Sequence, residues 1–162
     1  MAIERIAVLG AGQMGNGITQ VAAAAGYDVI MIDIEQEYVD KGLATIQRSL
    51  AKLVSKERMS QEDADATLAR ISLATDRSVC ADCDLVVEAV PEILDLKTSI
   101  FVELDGICKP ETILASNTSS ISISTIADAT NRPDRVIGMH FMNPVPIMKL
   151  VEVINGDKTS TE

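Results

Sequence analysis

Tryptophan is absent from this chain, and two tyrosines and two phenylalanines bring the aromatic share to only 2% of 162 residues. A core without large rings must be aliphatic. At 47% apolar, the chain can build one as a single domain. Positive charge is also scarce: 14 Lys and Arg against 24 Asp and Glu leave a net charge of −10. That balance disfavours nucleic acid and anionic membrane surfaces as partners, so any anionic ligand must be held by local positive features. Cysteine is sparse, with Cys80, Cys83 and Cys108 an odd set. Without a secretion signal (Glu4 and Arg5 come too early for one), an odd set points to a reducing, cytoplasmic compartment. Cys80-Ala-Asp-Cys83 lacks the second pair that a metal site needs, so buried thiols are expected and no metal. Residues 6–27 carry no charge, but Gly10, Gly12, Gly15, Gly17, Gly26, Gln13, Asn16, Thr19 and Gln20 interrupt them. A buried strand and a packed helix are expected there, not a membrane span.

What is present begins with Ile6-Ala-Val-Leu-Gly10-Ala-Gly12-Gln-Met-Gly15. Four apolar residues read as a strand, and three glycines follow at G-x-G-x-x-G spacing. Asn16 to Ala25 reads as a helix closed by Gly26. Tyr27 to Ile32 reads as a second strand, ending at Asp33. This context turns a weak motif into a dinucleotide site. Gly10 permits the tight turn, Gly12 lets a pyrophosphate approach the backbone, and Gly15 lets helix and strand pack closely. Ala11, Gln13 and Met14 complete the turn, whose helix N-terminus offers free N–H groups to phosphate. Asp33 is placed to accept hydrogen bonds from the adenosine ribose. Its carboxylate repels a 2′-phosphate, and Ile34-Glu-Gln36 supplies no arginine for one, so NAD is expected over NADP.

The remaining chain alternates helices and strands. A long helix spans about 35–56, with Val39, Leu43, Ile46, Leu50 and Leu53 at helical spacing. Ser60 starts a second helix running to about Arg70. Short strands are expected at 71–75, 84–90, 112–116 and 135–139. Pro91 is read as opening a helix to about Cys108, and a short helix spans 122–129. Residues 149–154 form a last extended run. The pattern implies an α/β fold: a doubly wound, mainly parallel Rossmann-type sheet with helices on both faces. Ligands of such sheets bind outside the carboxyl ends of the strands. Gly10 to Gly15, Asp33, Ala89 to Glu92, Ser116 to Ser120 and His140 to Asn143 share that rim.

His140 is the only histidine. At the edge of a nicotinamide crevice it suits the base that takes a hydroxyl proton as hydride leaves. An imidazolium needs a carboxylate partner, and Glu152, in the apolar run Leu150 to Ile154, is an odd residue for a buried strand, with a solvated edge position as the other reading. Ser49, Lys52 and Lys56 share one helix side. With Arg58 they make a basic patch in an acidic chain, read from composition as either a polyanion contact or a solvated face.

Four segments carry a resemblance. Gly10-Ala-Gly-Gln-Met-Gly15, Asp82-Cys-Asp-Leu-Val-Val-Glu-Ala89, Ala115-Ser-Asn-Thr-Ser-Ser120 and His140-Phe-Met-Asn-Pro-Val-Pro-Ile-Met-Lys-Leu-Val-Glu-Val153 are similar to the 3-hydroxyacyl-CoA dehydrogenase family, and most of all to its bacterial 3-hydroxybutyryl-CoA members. The resemblance implies His140 as general base oriented by Glu152, with Ser119 bonding the substrate oxygen beside the nicotinamide. It implies cofactor contacts from Glu92, Lys97, Ser119 and Asn143, and coenzyme A contacts from Ser49 and Lys56. It also implies a helical C-terminal domain carrying the rest of the acyl cleft and a homodimer interface. On that expectation, residues 1–162 form an isolated NAD-binding domain with little turnover alone.

The expected reaction is the NAD-dependent interconversion of (3S)-3-hydroxyacyl-CoA, short-chain in preference, and 3-oxoacyl-CoA, in fatty-acid or butyrate-type metabolism. One rival is an NAD(H)-sensing regulatory module, which shares the sheet and Asp33 but has no use for His140, Glu152 or Ser119. Another is a dehydrogenase of a different small hydroxy acid, against which the basic face around Lys56 argues.

Overall fold

The computed structural model describes residues 1–162. Seven strands form one sheet in the order β3-β2-β1-β4-β5-β6-β7. They are β1 Arg5–Leu9, β2 Asp28–Ile32, β3 Ile71–Ala74, β4 Leu85–Glu88, β5 Ile113–Ser116, β6 Val136–Phe141 and β7 Val151–Asn155. The first six run parallel, and β7 pairs antiparallel with β6 at the edge. The helices are α1 Gln13–Ala24, α2 Gln36–Ser55, α3 Gln61–Ala69, α4 Leu94–Ile107 and α5 Ile123–Asp128. None is long and apolar enough to cross a membrane.

Alternation along β1 shows how the two layers arise. Side chains on successive strand residues point to opposite faces. Ile6 and Val8 therefore pack with Ile18 and Ala23 of α1, while Ala7 and Leu9 pack with Phe101 and Leu104 of α4 and Ile126 of α5. A third cluster joins Val39, Ile46 and Leu50 of α2 to Ala64 of α3 and Met31 of β2. Full burial of an aliphatic side chain stabilises by roughly 1.5–3 kcal/mol. The three clusters thus fix both helix layers without tryptophan or tyrosine.

Local signals set most boundaries. Ser60 caps α3, its hydroxyl accepting from Asp63 N at 3.0 Å. Ser122 does the same for α5 through Thr125 N. Two expectations are corrected. Pro91 does not open α4: the helix starts at Leu94, and Pro91 to Ile93 stay outside it. The reason is tertiary, because that stretch carries the Glu92 carboxylate across to Thr118 and Ser119. β6 also runs on through His140 and Phe141, so His140 lies within the strand and not after it. Pairing with β7 extends the strand, while Arg135 belongs to a short 3-10 turn. β7 itself is an exposed edge, so Glu152 does not occupy a buried strand.

Candidate active site

The phosphate turn is built by close contact between glycines. Gly10 has φ +103°, which disfavours any side chain there, and a Cβ would meet Ala89 O at 2.5 Å. A Cβ on Gly15 would meet Gly10 O at 1.8 Å, so helix α1 can rest on the turn only as glycine. Gly12 faces open space. The first turn of α1 has no side-chain cap and no acidic residue. An open, uncapped helix start beside a glycine turn suits a pyrophosphate, so the residues present fit a dinucleotide. Gly17, the exception in an otherwise helix-favouring run, also has a tertiary reason: its Cβ would meet Val145 at 2.8 Å.

Asp33 ends β2 half-buried and fixed. Its Oδ2 accepts from Ala11 N at 2.8 Å and its Oδ1 from Ile34 N at 2.7 Å. The carboxylate thereby ties the glycine turn to the next strand end. A cleft of about 390 Å³ opens there between Gly10, Ile32, Asp33, Ile34, Thr75 and Val90. Arg77, in a 3-10 turn unforeseen from sequence, lines its far wall and pairs with Glu103.

Across the switch between β1 and β4, a second cleft of about 320 Å³ gathers Met14, Glu92, Lys97, Asn117, Ser119, His140 and Asn143. Residues from the ends of β1, β4, β5 and β6 thus meet where an open α/β sheet binds ligands. His140 Nδ1 lies 3.0 Å from Glu152 Oε2. Gln13 Nε2 donates to Asn143 Oδ1 at 3.1 Å. Phe141 N donates to Asn117 Oδ1 at 2.8 Å, holding the loop after β5 against β6. With Nδ1 at the carboxylate, the other ring nitrogen is free to exchange a proton.

Ser49 and Lys56 lie apart from this cleft. With Arg48, Lys52, Arg58 and the Pro144 to Ile147 loop, they line a groove of about 370 Å³. That loop begins directly after Asn143, so the groove and the cleft are neighbours along the chain. Arg48 and Thr45 extend the face beyond the residues singled out from sequence, and their helical spacing from Lys52 was the available signal.

Sequence reasoning placed Ser116 on the rim but passed over Glu88. Both are fully buried, and Ser116 Oγ donates to Glu88 Oε1 at 2.7 Å. A lone carboxylate ending the apolar strand Leu85 to Glu88 was the signal.

The three thiols are buried in the core below α4. Burial pushes Cys80 and Cys83 up and lifts Cys108 to about 11, so none is a thiolate near neutral pH.

Comparison with known proteins bears directly on this rim. The family described as "3-hydroxyacyl-CoA dehydrogenase, NAD binding domain" matches residues 5–162. A probable 3-hydroxybutyryl-CoA dehydrogenase of Deinococcus radiodurans is 52% identical over 98% of this chain and 56% of its own length. The mitochondrial hydroxyacyl-coenzyme A dehydrogenase of Rattus norvegicus is 45% identical over 98% of this chain and 52% of its own. The crystal structure of (S)-3-hydroxybutyryl-CoA dehydrogenase from Ralstonia eutropha superimposes with a TM-score of 0.96 at 48% identity. It covers 99% of this chain and 56% of that one. The chain therefore spans about half the length of these relatives. With its glycine turn, Asp33 and one shared rim, it belongs to the 3-hydroxyacyl-CoA dehydrogenase family as that family's NAD-binding domain.

Proposed function

We propose that this domain serves an NAD-dependent dehydrogenase interconverting (3S)-3-hydroxyacyl-CoA, of the 3-hydroxybutyryl type, and 3-oxoacyl-CoA. The observation that carries the reading is the His140–Glu152 pair on the wall of the cleft that also contains Ser119 and Asn143. A sensing module needs the glycine turn and Asp33 but gains nothing from an imidazole held by a carboxylate there.

NAD, when bound, would supply the acceptor for the hydride that leaves C3 of the substrate. The chain supplies the rest. Gly10 to Gly15 and the start of α1 hold the pyrophosphate, and Asp33 holds the adenosine ribose. Glu92, Ser119 and Asn143 line the nicotinamide end, with Lys97 behind Glu92. Ser119 donates a hydrogen bond to the 3-oxygen. As the C3 hydrogen leaves with its electron pair, His140 takes the hydroxyl proton and Glu152 balances the imidazolium. In reduction His140 returns that proton to the oxygen. Ser49 and Lys56 hold the coenzyme A portion in the basic groove.

The acyl half of the cleft and a homodimer interface are assigned to a helical C-terminal domain in the further length that the relatives have. A cytoplasmic setting fits three buried, reduced thiols. The test is NADH oxidation with acetoacetyl-CoA, by this chain alone and fused to a matching C-terminal domain. The fusion is expected to turn over at roughly 1–10³ per second, and the chain alone far more slowly. A fusion that binds NADH but turns over no 3-oxoacyl-CoA overturns the reading.

A further inference from the structure

Two ionisable side chains beneath the rim take no part in the proton or hydride transfer just described. Glu88 closes β4 and Lys97 lies in the first turns of α4, with side-chain exposures of 0% and 2%. Removing each charge from water costs several kcal/mol, repaid only if every polar atom finds a partner. Here they do. Glu88 Oε2 accepts from Lys97 Nζ at 2.7 Å and from Val90 N at 2.8 Å, and Oε1 accepts from Ser116 Oγ at 2.7 Å. Lys97 Nζ also faces Val90 O at 3.4 Å and the Glu92 carboxylate at 3.6 Å.

The contacts close into a ring. Glu92 Oε1 accepts from the Thr118 hydroxyl, and Thr118 N donates to Ser116 Oγ at 3.3 Å, returning to Glu88. Ser119 N donates to the free oxygen of Glu92 at 3.4 Å. The ring therefore spans the exits of β4 and β5, the two loops that carry Glu92 and Ser119 into the cleft. An apolar pair would fill the same space without the desolvation cost. What the charged pair adds is a fixed geometry for those two loops.

We infer that Glu88 is a positioning residue for the nicotinamide end of the cleft, setting Glu92 through Lys97 and Ser119 through Ser116. The inference rests on the dehydrogenase reading of the rim. Three variants test it: Glu88→Gln, the charge-neutral double Glu88→Gln/Lys97→Met, and Ser116→Ala, which keeps both charges. Each is compared with the unsubstituted protein by thermal unfolding, calorimetric NADH titration and, in the fusion, kcat and KM for acetoacetyl-CoA.

Glu88→Gln is expected to lose stability. The double variant is expected to recover it while kcat stays about tenfold or more below the unsubstituted level, since small misplacement of reacting groups is costly. NADH should bind about threefold or more weakly in both, and KM for acetoacetyl-CoA should move less than kcat. Ser116→Ala should lower kcat in the same direction and also cost stability, because it leaves Glu88 Oε1 buried without its hydrogen-bond donor. If kcat and NADH affinity return with stability in the double variant, or if Ser116→Ala leaves kcat unchanged, the ring is only structural and the inference falls. If the unsubstituted fusion reduces no acetoacetyl-CoA, the dehydrogenase reading falls, and the NADH titrations still judge Glu88.

Discussion

His140 and Glu152 stand directly opposite each other in the register of β6 and β7, and Nδ1 of the histidine lies 3.0 Å from Oε2 of the glutamate. Residues opposed in an antiparallel pair have their Cβ atoms about 5 Å apart, so strand pairing alone brings ring and carboxylate within reach. The histidine is the more covered partner, with 24% of its side chain exposed against 50% for the glutamate. A contact this exposed contributes roughly 1 kcal/mol or less to stability. On the proposed reading, it serves to orient the imidazole and not to hold the fold.

In the fusion, His140→Gln is expected to lower kcat and kcat/KM together by roughly 10²- to 10⁴-fold while sparing NADH affinity. Glu152→Gln moves in the same direction, and the double substitution is little worse than His140→Gln, because the two act as one unit. Steady-state kinetics on all three variants check this. Near-full activity of His140→Gln assigns the base elsewhere.

NADH is expected to bind more tightly than NADPH. Both carboxylate oxygens of Asp33 are fixed by backbone donors, so it cannot swing aside for a 2′-phosphate. Asp33→Ala should narrow the gap and also weaken NADH, because it unties Ala11. Paired calorimetric titrations decide it, and equal or tighter NADPH binding by the unsubstituted chain sinks the claim.

Lys56→Glu is expected to weaken binding of a coenzyme A ester without changing NADH affinity, because Lys56 lines the basic groove and not the cofactor clefts. Exposed charge contacts contribute roughly 1 kcal/mol or less and fade with salt. Titration at two ionic strengths checks both points. A salt-independent effect, or none, leaves this face as solvated surface.

Acid sensitivity should centre on Asp84, just before β4. The Lys109 ammonium at 2.6 Å and the backbone N–H groups of Arg5 and Glu4 hold its carboxyl at about 2, below the usual 3.8. A depressed carboxyl stabilises the fold fully above its unfolded value, and that contribution is lost as pH falls through the folded one. Asp84→Asn should therefore cost about 1–3 kcal/mol near neutral pH, the worth of charged hydrogen bonds, with the gap shrinking from about pH 4 toward pH 2. Urea unfolding of both proteins across that range measures it.

The three cysteines should be silent to an alkylating reagent at about pH 8 in the folded chain and react together once it unfolds. Their burial and raised pKa values are the reason. Rapid alkylation of Cys80 or Cys83 without unfolding would mean that the segment opens locally.

The glycine turn, Asp33 and the alternation of strands and helices were legible in the sequence because each is a local matter. The positive φ at Gly10 favours glycine, an apolar run ended by a carboxylate marks a strand exit, and Ser60 caps α3 through the N–H three residues ahead. Such contacts span a few residues, so their pattern survives in one dimension. His140 stood out because it is the only histidine. Glu152 stands 3.0 Å from it on an exposed edge strand, the solvated position and not the buried one. Tertiary structure decided what depends on the meeting of distant segments. The delayed start of α4 reflects the tie between Glu92 and Thr118, and Gly17 is required by Val145. Glu88 reads as an ordinary strand-end charge, and Lys97 as a cofactor contact by resemblance alone, until β4, α4 and β5 enclose them as a pair, because burial and partnership belong to packing and leave no mark in composition or spacing.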